Sequence, residues 1–177
     1  MSRPRPTVRQ VGQYEDRLLA FVTRCAGDAA ARDRLLVRRG VYRRYAKVFA
    51  AYWRRSGDGI EGLEALRRAT FLLWCSQTQP CCLTGVGELP ESRQEEVVGY
   101  LNHLAADTGV DSQLVWMLGY YHAQHPVVFS RYDWARHLHA LLATTRGGDW
   151  RRAEPTARDF AGRGLMGRYW TQVVAAG

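Results

Sequence analysis

Lysine is almost missing from this sequence: Lys47 stands alone beside 24 arginines. A GC-rich bacterial genome imposes such a bias, and the bias has a physical consequence whatever its origin. Guanidinium forks suit carboxylates and phosphates and stack on aromatic rings. Long apolar runs are missing too. Runs such as Phe71 to Cys75 fall far short of the ~20 residues needed to cross a bilayer. Nor do the first residues hold the apolar core of roughly 7 to 15 residues that a secretory signal needs, since Pro4 and Pro6 alternate there with Arg3 and Arg5. The expected setting is the cytoplasm, away from membranes. Cysteine is sparse: Cys25, Cys75, Cys81 and Cys82 match neither a disulfide framework nor a Cys-x-x-Cys pair. Neighbouring cysteines form only a strained ring, so all four read as free thiols in a reducing compartment.

Strand signals are absent as well. No run alternates apolar and polar residues, and no Asn-Gly turn occurs. Helical periodicity remains, with 46% hydrophobic residues, which is enough for a core without metal or disulfide. The expected fold is all-α: a single-domain globular bundle of about six to eight helices. It would cover residues 7–174, behind a flexible N-terminus at residues 1–6.

Thr7 is a plausible N-cap for a first helix that carries Val11, Tyr14, Leu18, Phe21, Val22 and Cys25 at helical steps and ends at Gly27-Asp28. A second helical region runs from about Ala29 to Arg55, with a break expected at Gly40 and a turn at Ser56 to Gly59. A third helix runs from about Ile60 to Gln77 and is closed by Pro80. Pro80 to Pro90 reads as an ordered apolar loop. A fourth helix starts near Pro90 and stops at Thr108-Gly109. Asp111 caps a fifth through Tyr121, limited by Pro126. A sixth spans about Val127 to Thr145 and ends at Gly147-Gly148, and a glycine-interrupted helical pair follows Glu154-Pro155. Trp53, Trp74, Trp116 and Trp134 are expected in the core.

Charge is distributed unevenly. Arg32 to Arg55 holds nine basic residues and one acid, Asp33, so this segment carries the whole net charge of +8 and the remainder is neutral. On a helical wheel Val41, Tyr45, Val48, Phe49, Tyr52 and Trp53 share one arc, and Arg39, Arg43, Lys47 and Arg54 share the opposite one. Arg34 and Arg38 would fall on the apolar side of a continuous helix, which favours the break at Gly40. The basic stripe is the first candidate site, for an anionic partner: Arg39, Arg43, Lys47 and Arg54 facing an acidic protein surface or a nucleic-acid backbone. A solvated face is the bland alternative.

Other chemistry is weakly signalled. Gly162 to Gly167 spells a dinucleotide fingerprint but lacks the strands that motif requires, and no phosphate-binding loop or nucleophile elbow is present. His122 and His125, with Asp133 and His137 four apart, outline a metal or acid–base site; capping and surface roles are the simpler explanation. No catalytic residue, metal ligand or cofactor is assigned. The loop supplies a second candidate site, at Cys81, Cys82, Thr84 and Glu88, unless it is only a lid over the core.

Asp133-Trp134-Ala135-Arg136 and Ala157-Arg158-Asp159-Phe160 resemble the C-terminal helices of the small helical subunit of bacterial CRISPR surveillance complexes. That subunit is likewise basic, all-helical and of similar length. The stretch Trp74 to Pro90 departs from that family, and no residue role is carried over from it. The expected function is that of a non-catalytic helical interaction or adaptor protein of the bacterial cytoplasm, with a basic face for an acidic partner. The alternatives are a backbone-binding nucleic-acid protein or small subunit of a nucleoprotein complex, and a metal- or histidine-dependent enzyme.

Overall fold

Helix caps written in the sequence set most of the boundaries. The computed structural model describes residues 6–57, 59–107, 110–145 and 155–176. α1 (Val8–Arg24) opens with a capping box in which Thr7 Oγ1 accepts from Gln10 N–H and Gln10 Oε1 accepts from Thr7 N–H. α2 (Ala29–Arg38) is capped by Asp28, whose carboxylate accepts from Ala31 N–H. Gly40 has φ 63°, in the left-handed region, so α2 ends there and α3 (Val41–Trp53) begins on a new axis. The expected break is therefore present, and Arg34 and Arg38 need not point into the core.

α4 (Gly59–Thr78) is followed, after Pro80, by a single turn, α5 (Cys81–Thr84), and then by α6 (Glu91–Ala106). α7 (Ser112–Gln124) starts at Asp111, whose Oδ1 accepts from Gln113 and Leu114 N–H. The expected stops at Thr108-Gly109 and Gly147-Gly148, and residues 1–5, lie outside the described residues. A 3₁₀ turn (Ala157–Phe160) and α10 (Gly164–Ala176) follow.

The single helix expected over Val127 to Thr145 is corrected. It is divided into α8 (Val127–Ser130) and α9 (Arg136–Thr144). Between them Tyr132 and Ala135 turn into the core. The first free N–H groups of α9, on His137 and Leu138, are satisfied by Asn102 Oδ1 of α6, at 2.9 and 3.1 Å. This division and the one-turn α5 raise the count among the described residues to ten α-helices, above the six to eight expected, and no strand occurs among them. No helix among the described residues is long and apolar enough to cross a membrane.

α3 packs against α4, and α1 packs against α3 and α10. Val41, Tyr45, Val48, Phe49 and Tyr52 of α3 are buried, as their shared arc requires. A second centre is aromatic. Trp74 stacks on Tyr121 with ring centres 4.8 Å apart, and Trp170 lies 4.5 Å from Trp116 and 4.7 Å from Tyr120. Two of the four tryptophans expected inside are not fully buried. Trp53 is half-buried, its indole N–H donating to Glu96, and Trp134 is exposed beside Tyr132. Trp170 takes a core place instead.

Candidate functional site

The basic segment divides into two unlike sets. Arg32 and Arg55 hold the fold. Arg32 lies behind the C-terminus of α1 and donates to the carbonyls of Val22, Cys25 and Cys82, which joins α1, α2 and the α5 turn. Cations at a helix C-terminus also face the negative end of its dipole. Arg55 Nε donates to Pro6 O at 2.7 Å. The other set is Arg34, Arg38, Arg39, Arg43, Arg44, Lys47 and Arg54, all exposed. Among the described residues no carboxylate lies within ion-pair distance of any of these seven. The four candidate residues Arg39, Arg43, Lys47 and Arg54 are thus solvent-facing, and Arg34, Arg38 and Arg44 extend their field across the Gly40 break. At 1.5 Å rise per residue, Arg43 to Arg54 spans ~16 Å along α3.

The one acid of the segment does not neutralise this array. Asp33 is bound internally: Tyr42 Oη donates to its Oδ1 at 2.6 Å, and Cys81 Sγ approaches the same oxygen at 3.8 Å. Burial and the hydrogen bond to Asp33 push the Tyr42 hydroxyl well above the usual tyrosine range, so Tyr42 stays a donor near neutral pH.

Tyr42 also separates two concave surfaces. On one side lies a shallow groove lined by Val37 to Gly40, Arg43 and Arg44. On the other is an open cleft of about 520 Å³ between α4, the α5 loop and α6, reached by Arg131 from beyond α8. The loop from Pro80 to Pro90 is both lid and wall. Val86 and Leu89 are buried and close the core, and Cys81, Gly87 and Glu88 line the cleft together with Leu89. Gly87 is needed there, because a Cβ would fall 2.9 Å from Tyr42 Cβ. Of the four loop residues expected at a site, Cys81 and Glu88 reach the cleft. Cys82 contributes its carbonyl to Arg32, and Thr84 turns back to Pro80 O and Val86 N–H. All four cysteines are unpaired thiols; burial pushes the Cys75 thiol up to about 12.

The histidine constellation does not assemble. His125 is the exposed C-cap of α7, His137 and Asp133 are exposed, and His139 Nε2 lies 3.2 Å from Phe129 O. Among the described residues no three His, Cys, Asp or Glu side chains are placed to hold a metal ion.

One polar centre was not anticipated. Glu15 is buried, accepting from Tyr52 Oη at 2.7 Å and from Leu165 N–H at 3.0 Å, with Arg68 Nη1 at 3.8 Å. Arg68 Nη1 donates to Tyr52 Oη, and its Nε reaches Glu64, which also binds Arg163 at 2.9 Å. Gly164, at φ 59°, must be glycine, because a Cβ would overlap the Glu15 carboxylate. Burial raises the Glu15 carboxyl above its ordinary value, opposed by Tyr52, Arg68 and the Leu165 amide. The sequence did carry a signal. Glu15 occupies the apolar register of α1, between Val11 and Leu18, and a carboxylate there must find buried partners. The network joins α1, α3, α4 and α10, and it lies apart from the cleft.

No protein-family model, curated protein or solved structure matches this chain.

Proposed function

We propose that this chain is a non-catalytic binding protein whose α2–α3 face docks on an anionic partner, and that the partner is a nucleic-acid backbone. The observation that supports this is the array of seven exposed cations with no carboxylate partner among the described residues. Folding alone does not explain an array that repels itself and has no carboxylate partner among the described residues. A protein partner is the second reading, and the composition of the face disfavours it. Protein interfaces centre on buried apolar and aromatic anchors, whereas the large apolar side chain exposed among these cations is Val37. Phosphates need only positioned donors, and arginine supplies them as bidentate forks.

Fluorescence anisotropy with labelled single-stranded and double-stranded oligonucleotides tests the reading. Binding is expected to fall steeply with salt, with a log–log slope of about −3 for four phosphate contacts on a single strand. Arg43→Glu with Lys47→Glu is expected to weaken every probe. Absent or salt-indifferent binding overturns the reading. Equal affinity for an acidic peptide of matched charge would transfer the face to a protein partner.

A further inference from the structure

The cleft beside Tyr42 differs chemically from the face next to it. Its deep wall is already organised: Gln94 is buried, its Nε2 donating to Leu89 O and its Oε1 accepting from Gln77 Nε2, both at 2.8 Å. Gln77 Oε1 in turn accepts from Arg131 at 3.5 Å, and Arg131 stands 3.6 Å from Glu91. At the mouth, capacity is unspent. The side chains of Gln79 and Glu88 make no hydrogen bond or ion pair among the described residues, and both line the cleft. Donors and acceptors therefore alternate around a space of the size that holds small ligands, ~300 to 1,000 Å³.

That mixture excludes a phosphate, which needs donors alone and is repelled by the carboxylates of Glu88 and Glu91. A nucleobase edge carries acceptors and N–H donors side by side, and a carboxylate is the natural acceptor for an exocyclic amino group such as cytosine N4. Tyr42 lines both the cleft and the arginine groove. A backbone lying along Arg39, Arg43 and Arg44 therefore passes the mouth. We propose that this cleft is a nucleobase pocket, receiving one unstacked base of a single strand whose phosphates lie on the α2–α3 face. This rests on the backbone-binding reading of that face. A duplex base has its Watson–Crick edge paired and enters only if flipped out, so the preferred ligand is single-stranded.

The test compares the full chain's binding to a cytosine strand of about twelve nucleotides with its binding to the same backbone made abasic. The cytosine strand is expected to bind about tenfold tighter, roughly one or two hydrogen bonds' worth. Gln79→Ala with Glu88→Ala is expected to remove that margin and to leave the abasic strand as tight or tighter. The sign is decisive. If charge alone governs binding, deleting Glu88 strengthens both probes, and that result overturns the pocket. Alkylation of Cys81 by a maleimide, measured in a Cys82→Ser protein, is expected to slow with the cytosine strand and not with the abasic one. Equal affinity for the two strands sinks the pocket and leaves the face standing. Failure of both strands to bind removes the face, and the pocket with it.

Discussion

Glu15 carries the clearest residue-scale consequence. Its folded carboxyl titrates above the ordinary value of 4.5 because burial penalises the charge more than its partners relieve it. Between the ordinary value and the raised one, the folded state holds more protons than the unfolded state. The carboxyl's contribution is therefore fully present below 4.5 and is lost as pH rises through the folded value. Urea midpoints measured across this range should fall with rising pH in the native protein relative to Glu15→Gln, whose amide does not titrate. Parallel profiles for the two proteins would show that Glu15 does not carry the effect. Arg32 illustrates the opposite case, a charge used for structure. Its fork serves three carbonyls on two separate segments, which lysine's single ammonium cannot reproduce. Arg32→Ala is expected to lower unfolding free energy by ~2 to 4 kcal/mol by leaving those carbonyls unsatisfied. Denaturant titration reads this directly.

At the scale of elements, legibility followed from where each helix terminus finds its partners. Thr7, Asp28 and Asp111 satisfy N–H groups two or three residues on, and Gly40 breaks the chain by its own left-handed backbone. Such local devices can be read from neighbours in sequence. The start of α9 cannot, because its cap is Asn102, the only asparagine in the chain and 35 residues before His137. The apolar period runs unbroken through Val127 to Thr145, and only the tertiary cap reveals the division. The candidate site splits the same way. The cations of α3 were legible because an exposed stripe needs only a helix. The cleft was half legible, because Gln94 and Arg131 enter it from other helices. Two glycines should separate backbone strain from packing. Gly40→Ala meets only the Arg43 side chain and should cost ~1 kcal/mol for its left-handed backbone. Gly85→Ala combines φ 77° with a Cβ only 2.6 Å from Val22 and 2.9 Å from Tyr45, and should cost more than ~3 kcal/mol. Equal thermal shifts for the two would contradict this account of the α5 turn.

For the molecule as a whole, the charge excess sets binding against stability. The chain outside Arg32 to Arg55 is neutral, so its +8 acts as a local field on one face rather than a diffuse one. Seven cations facing water, with no carboxylate partner among the described residues, repel one another, and the folded state bears that repulsion more than an expanded chain does. Salt screens the repulsion, since the Debye length falls from ~10 Å at 0.1 M to ~3 Å at 1 M. The free protein should therefore melt at a higher temperature as sodium chloride rises through this range, while its affinity for single-stranded nucleic acid falls. Reversing Arg43 and Lys47 to glutamate should reproduce both trends at low salt. It removes two repulsive cations and places a carboxylate at position 47, three residues from Arg44 on α3, so melting should shift upward by a degree or a few for about 0.5 kcal/mol as binding is lost. A merely solvated surface predicts the same gain in melting temperature with no binding to lose. A face whose arginines contributed to folding predicts a loss. A gain in stability accompanied by a loss of binding is expected only where the cations are kept at a cost to the fold for a partner outside it.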